Sequence, residues 1–222
     1  GIDFINIPTT LLSQVDASIG GKLGIDLQVL KNQIGLFSNP SAVFISTEFL
    51  RTLDKRQMLS GFAEIIKHGL ISDEDFWEEI QSFNIMQIDS IDSIISESIK
   101  IKKQIILADP YEKKGLRKSL NFGHTIGHAV ESFSLSKDKG MLLHGEAIAI
   151  GIVCETYLSQ KCVGLKKDLL NKISKFIKKN FSKYDLSDSD PSFLLDIMKN
   201  DKKNTNGKIN FTLLEDIGYV KI

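Results

Sequence analysis

Three of the four histidines in the chain lie in two short motifs, residues 119–131 and 143–147. His124 and His128 are four residues apart, so a helix would project both imidazoles from one face, one turn apart. His144 follows a short loop. Such a cluster can hold a divalent cation and keep one imidazole for proton transfer, provided that a carboxylate comes from elsewhere in the chain.

The best carboxylate donor for this cluster is Glu64, in the motif of residues 62–67. Spacing alone slightly favours His124 and His128 as the paired ligands. The alternative is that all three histidines are core or surface residues that bind no metal. His68, directly after Lys67, is interpreted as a structural residue.

The composition is that of an ordinary globular chain, with 42% hydrophobic and 25% charged residues among 222. Its 28 basic and 28 acidic residues give no basic face, so nucleic-acid binding is disfavoured. The longest apolar run, near residues 147–154, is far shorter than the roughly twenty residues of a membrane span, so no membrane partner is expected. Cys154 and Cys162 lack the spacing of a zinc ribbon and the density of a disulfide scaffold, and are interpreted as reduced thiols of a cytoplasmic protein.

Apolar patterns predict β-strands at both ends of the chain and helices between them. Residues 4–7 and 42–45 are short apolar runs bounded by Pro8 and Pro40, which is typical of buried strands. Residues 209–214 and 219–222 are expected to form a terminal strand pair.

Helical spacing begins after Asp54, which we expect to be an N-cap. Further helices are predicted at 89–107 and at 166–179, where the lysines form a solvated face. The nearly all-apolar stretch 146–158 predicts a central helix, and the Ser-, Asp- and Pro-rich stretch 182–192 predicts a loop.

Five motifs in this chain resemble, in order, those of 3-dehydroquinate synthase, the sugar-phosphate cyclase that makes the first carbocycle of the shikimate pathway of aromatic amino acid biosynthesis. They are residues 7–22, Lys31-Asn32, residues 63–67, residues 115–128 and His144-Gly145-Glu146. The resemblance extends from Gly1 to residues 201–203. Members of the family begin with a nucleotide-binding α/β region of about 120 residues, so we expect this chain to be a fragment that starts just after that region.

The resemblance implies a mainly α C-terminal domain with a few β-strands, preceded by the remnant of an α/β nucleotide-binding domain. Residues 1–52 would be that remnant, and residues 53–222 would form the helical metal- and substrate-binding domain. A cytoplasmic homodimer is expected, because family members are commonly homodimers.

The same resemblance implies a metal site that differs from the one favoured by spacing. Glu64, His124 and His144 would bind Zn²⁺, with Co²⁺ as an alternative, and His128 would be an acid/base group. Two imidazoles and one carboxylate would leave coordination positions open for substrate hydroxyls.

The substrate implied by the family is a phosphorylated sugar acid, which requires several cations around it. Its expected contacts are Asp16, Lys22, Asn32, Lys67, Lys102, Arg117, Asn121, His128 and one of Lys202 or Lys203. The expected catalytic groups are Lys22, Lys102, Glu112, Arg117, Asn121 and His128. NAD is expected to contact Thr9, Thr10, Asp16, Lys31, Phe49, Leu50, Arg51 and Thr52.

Two local expectations concern Arg117. Its spacing of four residues from Asn121 is consistent with one helical face meeting one ligand. The stretch from Asp109 to Arg117 is one residue longer than is usual in the family, which either displaces Glu112 or makes the loop bulge.

The implied reaction converts 3-deoxy-D-arabino-heptulosonate 7-phosphate to 3-dehydroquinate and phosphate. We expect the 222 residues alone to bind zinc but to turn over weakly or not at all, because most of the NAD surface would lie on the absent region. The alternatives are a 2-epi-5-epi-valiolone or 2-deoxy-scyllo-inosose synthase, a metal-dependent polyol dehydrogenase, and a non-catalytic, interface-forming helical module.

Overall fold

A computed structural model describes residues 2–27, 30–136, 140–187, 189, 191–199 and 208–222, without the side chains of residues 25–34. The helices in this part of the chain are α1 (Lys55–Ser72), α2 (Glu74–Ser82), α3 (Ile91–Ala108), α4 (His124–Leu135), α5 (His144–Cys162), α6 (Lys167–Asn180) and α7 (Pro191–Lys199). The strands are β1 (Ile5–Asn6), β2 (Lys22–Leu27), β3 (Leu30–Phe37), β4 (Ala42–Val43), β5 (Leu213–Asp216) and β6 (Tyr219–Lys221). This mainly α architecture with short strands confirms the expected fold class.

The strands of the described residues pair in twos. Strands β1 and β4 are parallel, whereas β2–β3 and β5–β6 are antiparallel. Short helical segments of other types precede α1: a π-helical turn at Ser13–Ala17 and a 3₁₀ helix at Thr47–Thr52.

Helix α1 runs through the core and brings two charged side chains into it. Its N-terminus is capped as expected, because Oδ1 of Asp54 accepts a hydrogen bond from the N–H of Gln57 at 3.0 Å. The helix packs against α2, α3 and α5, and its apolar side chains are fully buried on several faces. Glu64 and Lys67 are consequently buried as well, and buried charges need partners.

Helices α4 and α5 pack antiparallel at very short range. A Cβ at Gly151 of α5 would lie 1.9 Å from the carbonyl oxygen of Gly123, at the start of α4. A Cβ at Gly145 would lie 1.9 Å from the carbonyl oxygen of Ser60 on α1. Glycine is therefore required where these backbones meet, and the contacts hold the start of α4 against α5 and the start of α5 against α1.

The predicted helices at 89–107, 146–158 and 166–179 are confirmed as α3, α5 and α6, and the terminal strand pair is confirmed as β5–β6. The last two residues of the predicted loop, 191 and 192, belong to α7, which begins at Pro191. Cys154 and Cys162 form no disulfide. Among the described helices there is none with the length and apolar character needed to cross a bilayer.

One prediction about the N-terminal strands was wrong, and one strand pair was missed. Residues 4–7 and 42–45 do contain the pair β1–β4, but Ile5, Ile7 and Phe44 are 56%, 59% and 60% exposed, so these strands are not buried. A pair with no further described strand beside it leaves both edges open. The hairpin β2–β3 was not predicted, because Gly24 and Gly35 face each other in it and glycine weakens a strand pattern.

Candidate metal centre and surrounding cations

Two imidazoles converge on one buried carboxylate oxygen. Nε2 of His124 lies 3.4 Å and Nε2 of His144 lies 3.5 Å from Oε1 of Glu64. Neither contact has hydrogen-bonding geometry, so Oε1 is a buried acceptor without a hydrogen-bond partner among the described residues. Buried polar atoms are rarely left unsatisfied, and a cation between these three atoms would satisfy this one.

The second nitrogen of each imidazole is already engaged. Nδ1 of His124 lies 3.1 Å from the carbonyl oxygen of Phe122, and Nδ1 of His144 lies 3.1 Å from Oε2 of Glu131. Because a carbonyl and a carboxylate only accept, both Nδ1 atoms carry the proton. A metal-binding histidine needs this arrangement, since it leaves Nε2 free to coordinate.

His128 lies beside this group, one turn after His124 on α4. Its ring centroid is 5.2 Å from that of His124 and 5.8 Å from that of His144. Each of the three imidazoles offers a nitrogen within 4.8 Å of the others. The helical spacing thus brings His128 to the edge of the candidate metal centre, where it could transfer protons.

The electrostatics of the three predicted ligands differ. Burial, helped by Lys67, lowers the pKa of His124 to about 3, which keeps this imidazole neutral and ready to coordinate. Burial alone would also lower the pKa of His144, but Glu131 and Glu64 outweigh it and raise that pKa to about 9, so a metal ion would have to displace the proton on Nε2. Burial would raise the pKa of Glu64, yet Lys67 and His124 hold it well below its usual range.

Two buried lysines extend this charge network. Nζ of Lys67 donates to Oε2 of Glu64 and lies 4.0 Å from Oδ1 of Asp16. Nζ of Lys102 donates to Oδ1 of Asp16 at 2.6 Å and to its carbonyl oxygen at 2.5 Å. Burial would raise the pKa of Asp16, but Lys102 and Lys67 lower it to about 2.

Asp16, Glu64 and His68 form a second cluster whose ligand atoms lie within 4.8 Å of one another. The ammonium groups of Lys67 and Lys102 already neutralise its two carboxylates. We therefore interpret this cluster as an ion-pair network and not as a second metal site.

The loop from Asp109 to Arg117 is organised by one carboxylate. Asp109 accepts hydrogen bonds from the N–H groups of Lys113 at 2.8 Å, Lys114 at 3.0 Å and Arg117 at 3.2 Å. Glu112 has a φ of 56°, which is left-handed, and its Oε2 lies 2.6 Å from Nζ of Lys22. Glu112 is thus paired with a predicted catalytic lysine, and its own catalytic role stays a prediction.

Arg117 lies at the start of a 3₁₀ helix, Leu116–Asn121. Its guanidinium donates to the carbonyl oxygens of Pro110 at 2.6 Å and Gly20 at 2.8 Å, and lies 5.6 Å from the ring centre of Phe37. The expectation that Arg117 and Asn121 share a helical face was wrong. In a 3₁₀ helix, with about three residues per turn, residues four apart point roughly 120° away from each other.

Two family models together match nearly the whole chain. Residues 61–204 match the family model described as 3-dehydroquinate synthase C-terminal, and residues 1–60 match the one described as 3-dehydroquinate synthase N-terminal. The chain belongs to the 3-dehydroquinate synthase family. This confirms the resemblance on which the site residues were predicted.

Curated members of the 3-dehydroquinate synthase family align with the entire chain. The 3-dehydroquinate synthase of Parabacteroides distasonis is 47% identical over 224 residues, covering 100% of this chain and 63% of that protein. The one from Thermoanaerobacter pseudethanolicus is 42% identical over 227 residues, covering 100% of this chain and 62% of that protein. The chain therefore spans less than two thirds of the length of these relatives.

Solved structures of two sugar-phosphate cyclases share the fold of this chain. ValA, a 2-epi-5-epi-valiolone synthase from Streptomyces hygroscopicus with NAD⁺ and Zn²⁺ bound, has a TM-score of 0.85 at 24% identity and covers 99% of this chain and 61% of its own. A 2-deoxy-scyllo-inosose synthase complexed with carbaglucose-6-phosphate, NAD⁺ and Co²⁺ has a TM-score of 0.82 at 27% identity and covers 100% of this chain and 61% of its own.

Most of the residues predicted to contact NAD lie in two places, the turn of residues 9–17 and the 3₁₀ helix Thr47–Thr52, whereas Lys31 lies in β3. Thr10 closes the first turn, with its Oγ1 2.9 Å from Oγ of Ser13. In the second, Arg51 donates to Glu48 at 3.0 Å and to Asp89 at 2.8 Å. The side chain of Leu50 is fully buried, so only its backbone could meet a cofactor, whereas Thr9, Phe49 and Thr52 are exposed. Their role stays a prediction.

Four of the predicted contacts lie outside the residues that the structure describes. Lys202 and Lys203 are not among the described residues, and Lys31 and Asn32 are described without their side chains. Of the other predicted substrate contacts, Asp16, Lys67 and Lys102 lie together and Lys22 is more exposed. Arg117 is buried, and Asn121 and His128 are partly buried.

Sequence reasoning missed three residues that hold this site together. Glu131 accepts from His144, as described above. Glu155 accepts from the N–H groups of Gly123 at 2.7 Å and Ile126 at 3.0 Å. Arg56 of α1 grips both carboxylate oxygens of Glu146 at 2.7 Å, at the start of α5. One signal was available, because Glu155 interrupts an otherwise apolar helix and a buried carboxylate needs donors.

Proposed function

We propose that the protein is a 3-dehydroquinate synthase, which converts 3-deoxy-D-arabino-heptulosonate 7-phosphate to 3-dehydroquinate and phosphate. The observation that carries this proposal is the orphan oxygen of Glu64, faced by Nε2 of His124 and of His144 and adjoining a buried pair of lysines. The curated relatives, all called 3-dehydroquinate synthase, support it. Activity is a proposal because the chain spans only about 62% of such relatives.

The donor set fits a divalent metal. Glu64, His124 and His144 would hold Zn²⁺, with Co²⁺ as an alternative, since two imidazoles and a carboxylate are common catalytic ligands that leave a position open. When bound, the cation would polarise a hydroxyl oxygen of the substrate. The cyclase structures solved with Zn²⁺ and with Co²⁺ have the same fold and support this choice.

NAD is the second proposed cofactor, and it would supply transient oxidation of the C5 hydroxyl and return of the hydride. The predicted contacts in the described residues are Thr9, Thr10, Asp16, Phe49, Leu50, Arg51 and Thr52. Both cyclase structures were solved with NAD⁺, which supports the assignment.

The cationic side chains would bind the phosphate and carboxylate of the substrate. Each is already held by an acceptor: Lys22 by Glu112, Lys102 by Asp16, and Arg117 by two carbonyl oxygens. Lys22 is the most accessible of these, with 52% of its side chain exposed, so an incoming anion would compete with Glu112 for it. This arrangement orients charges before the substrate arrives, which lowers the cost of reorganisation.

Proton transfer would fall to His128, because histidine is the residue that most often acts as a general acid or base in enzymes. With C5 oxidised, the neighbouring C6 proton would be acidic, and phosphate would leave by β-elimination, taking that proton on its own oxygen. Asn121, at the end of the 3₁₀ helix, would hydrogen-bond a substrate hydroxyl.

The proposal is tested by following phosphate release and 3-dehydroquinate formation from the heptulosonate phosphate, with NAD and Zn²⁺ present. Glu64→Ala should abolish turnover, while Glu97→Ala, a change at an exposed carboxylate, should not.

A preference for sugar phosphates without a carboxylate would indicate one of the other cyclases. Net NADH accumulation with a simple alcohol would indicate a polyol dehydrogenase. If the protein retained no metal and turned over nothing, it would be a structural module. The homodimer and the cytoplasmic location stay predictions of the family resemblance.

A further inference from the structure

We propose that Glu131 and Glu155 are positioning residues that hold the two metal-binding histidines from opposite helices. This inference rests on the metal centre of the proposed function. It assigns the carboxylates no contact with substrate or metal, only with the groups that carry the ligands.

The two histidines occupy equivalent positions in the fold. His124 is the first residue of α4 and His144 is the first residue of α5. Because the helices are antiparallel, the start of each lies against the body of the other. Each helix supplies one buried glutamate to the start of its partner: Glu131 from α4 and Glu155 from α5.

Glu131 controls the ring of His144 directly. Its Oε2 lies 3.1 Å from Nδ1 of His144, and the side chain is 5% exposed. The contact fixes both the tautomer and the rotation of the ring, so that Nε2 points to Glu64. Carboxylates in this position also make the imidazole a better electron donor.

Glu155 controls His124 indirectly, through the backbone. The residue before α4 is Gly123, with a φ of 79° and no side chain to cap the helix. The N–H groups at this end would therefore lack the acceptor that Ser, Asp or Asn usually provides. Glu155 is fully buried and accepts from both Gly123 and Ile126, so a carboxylate from the partner helix replaces the missing cap.

Glycine at position 123 is required by the packing. A Cβ there would lie 2.6 Å from Cγ1 of Ile152, and the left-handed φ disfavours any other residue. The close approach of the helices therefore requires a glycine that cannot cap α4. The same approach brings Glu155 within hydrogen-bonding distance of the uncapped N–H groups. The packing of α4 against α5 thus determines the position of His124, one of the predicted metal ligands.

The test measures Zn²⁺ affinity by competition with a chromogenic chelator, in variants first shown to be folded by circular dichroism. Glu131→Ala should weaken Zn²⁺ binding about 10- to 100-fold, as is common for the outer partner of a metal-binding histidine. Glu131→Gln keeps an acceptor for Nδ1 and should lose less. Glu155→Ala should also weaken binding and should speed hydrogen exchange of the Gly123 and Ile126 amides.

Thr156→Val is the matched control, because it removes a buried hydroxyl next to Glu155 that bonds only within α5, to the carbonyl of Ile152. It should lower stability and leave Zn²⁺ affinity unchanged. If Glu155→Ala does not fold, Glu155→Gln replaces it, since an amide keeps one acceptor and loses the other. The absorption spectrum of bound Co²⁺ should change in the Glu131 and Glu155 variants and not in Thr156→Val.

Two outcomes would overturn the inference and are distinguishable. If folded Glu131→Ala and Glu155→Ala bind Zn²⁺ as the wild type does, the carboxylates only stabilise the fold and the metal centre stands. If the wild type itself binds no Zn²⁺ or Co²⁺, the metal centre of the proposed function fails, and the positioning role fails with it.

Discussion

Lys67 donates a hydrogen bond to one oxygen of Glu64, one turn earlier on α1, while the other oxygen of the same carboxylate faces two imidazoles. The two residues are buried, and the ammonium keeps the carboxylate ionised without occupying the oxygen that a metal would need. The spacing i, i+3 on one helix thus prepares a charged ligand inside a hydrophobic core.

Replacing Lys67 by Met should therefore destabilise the metal-free protein by about 3–5 kcal/mol, because it leaves a buried carboxylate uncompensated. Zn²⁺ should restore part of that loss by supplying the missing positive charge. Urea unfolding with and without Zn²⁺ measures both effects. Lys100→Met is the control, since Lys100 pairs with Glu97 at the same spacing but at the surface; equal losses in the two variants would contradict the argument.

His68 should make stability depend on pH. Burial and the neighbouring Lys67 lower its pKa to about 3 from the ordinary 6.5, so it is neutral in the folded state. Below pH 6.5 the unfolded chain binds a proton that the folded protein does not. Stability is therefore complete above pH 6.5 and decreases as the pH falls towards 3, by about 1.4 kcal/mol per pH unit for this one group.

The variant His68→Asn should remove that slope between pH 6 and 4.5 while keeping the contact that Nδ1 makes with Ser98 at 2.7 Å. Ser98→Ala is the control, because it keeps the titrating imidazole and should keep the slope even if it is less stable. Unfolding of the metal-free protein at several pH values provides the measurement. An unchanged slope in His68→Asn would show that other groups cause the dependence.

We expect the backbone of Glu112 to be strained and its carboxylate to be needed for turnover. Its φ of 56° is unfavourable for any residue except glycine, and its carboxylate holds Lys22. Glu112→Gly and Glu112→Ala both remove the carboxylate, but only glycine relieves the backbone, so Glu112→Gly should be about 1 kcal/mol more stable than Glu112→Ala. Both should have lower turnover. Equal stability of the two variants would mean that the loop relaxes to a different conformation.

Gly151→Ala should separate α4 from α5. Its Cβ would lie 1.9 Å from the carbonyl oxygen of Gly123, a backbone atom that can move only with its helix. We expect a loss of about 1–3 kcal/mol or more together with weaker Zn²⁺ binding, measured by thermal unfolding and chelator competition. Tyr157→Ala, at an exposed position of the same helix, should change neither property much.

The helices and the core of the candidate site were predictable because their signals are local. The spacing of His124 and His128 identified one helical face, and the apolar pattern after Asp54 placed Glu64 on a buried helix. The family motifs supplied His144, which spacing alone did not favour over His128 as a ligand. The geometry around Glu64 is consistent with that choice.

The missed features depend on contacts between distant parts of the chain. Nothing near Glu155 indicates that it caps a helix starting about thirty residues earlier, because that role follows from how α4 and α5 pack. The 3₁₀ geometry around Arg117 depends likewise on the carboxylate of Asp109 and the carbonyl of Gly20. The hairpin β2–β3 was obscured by glycines that local propensity assigns to loops.

The contact between the backbones of Gly151 and Gly123 has a consequence for motion. Because no side chains lie between α4 and α5 at this contact, the two helices cannot slide past each other by side-chain rearrangement. We expect α4 and α5, which carry the histidines, to move as one rigid body. Any closing movement around a ligand then falls to Lys22 and the loop of residues 109–117, where a partly exposed ion pair between Lys22 and Glu112 can open. Deuterium uptake should accordingly change on ligand binding in that loop and stay constant along α4 and α5.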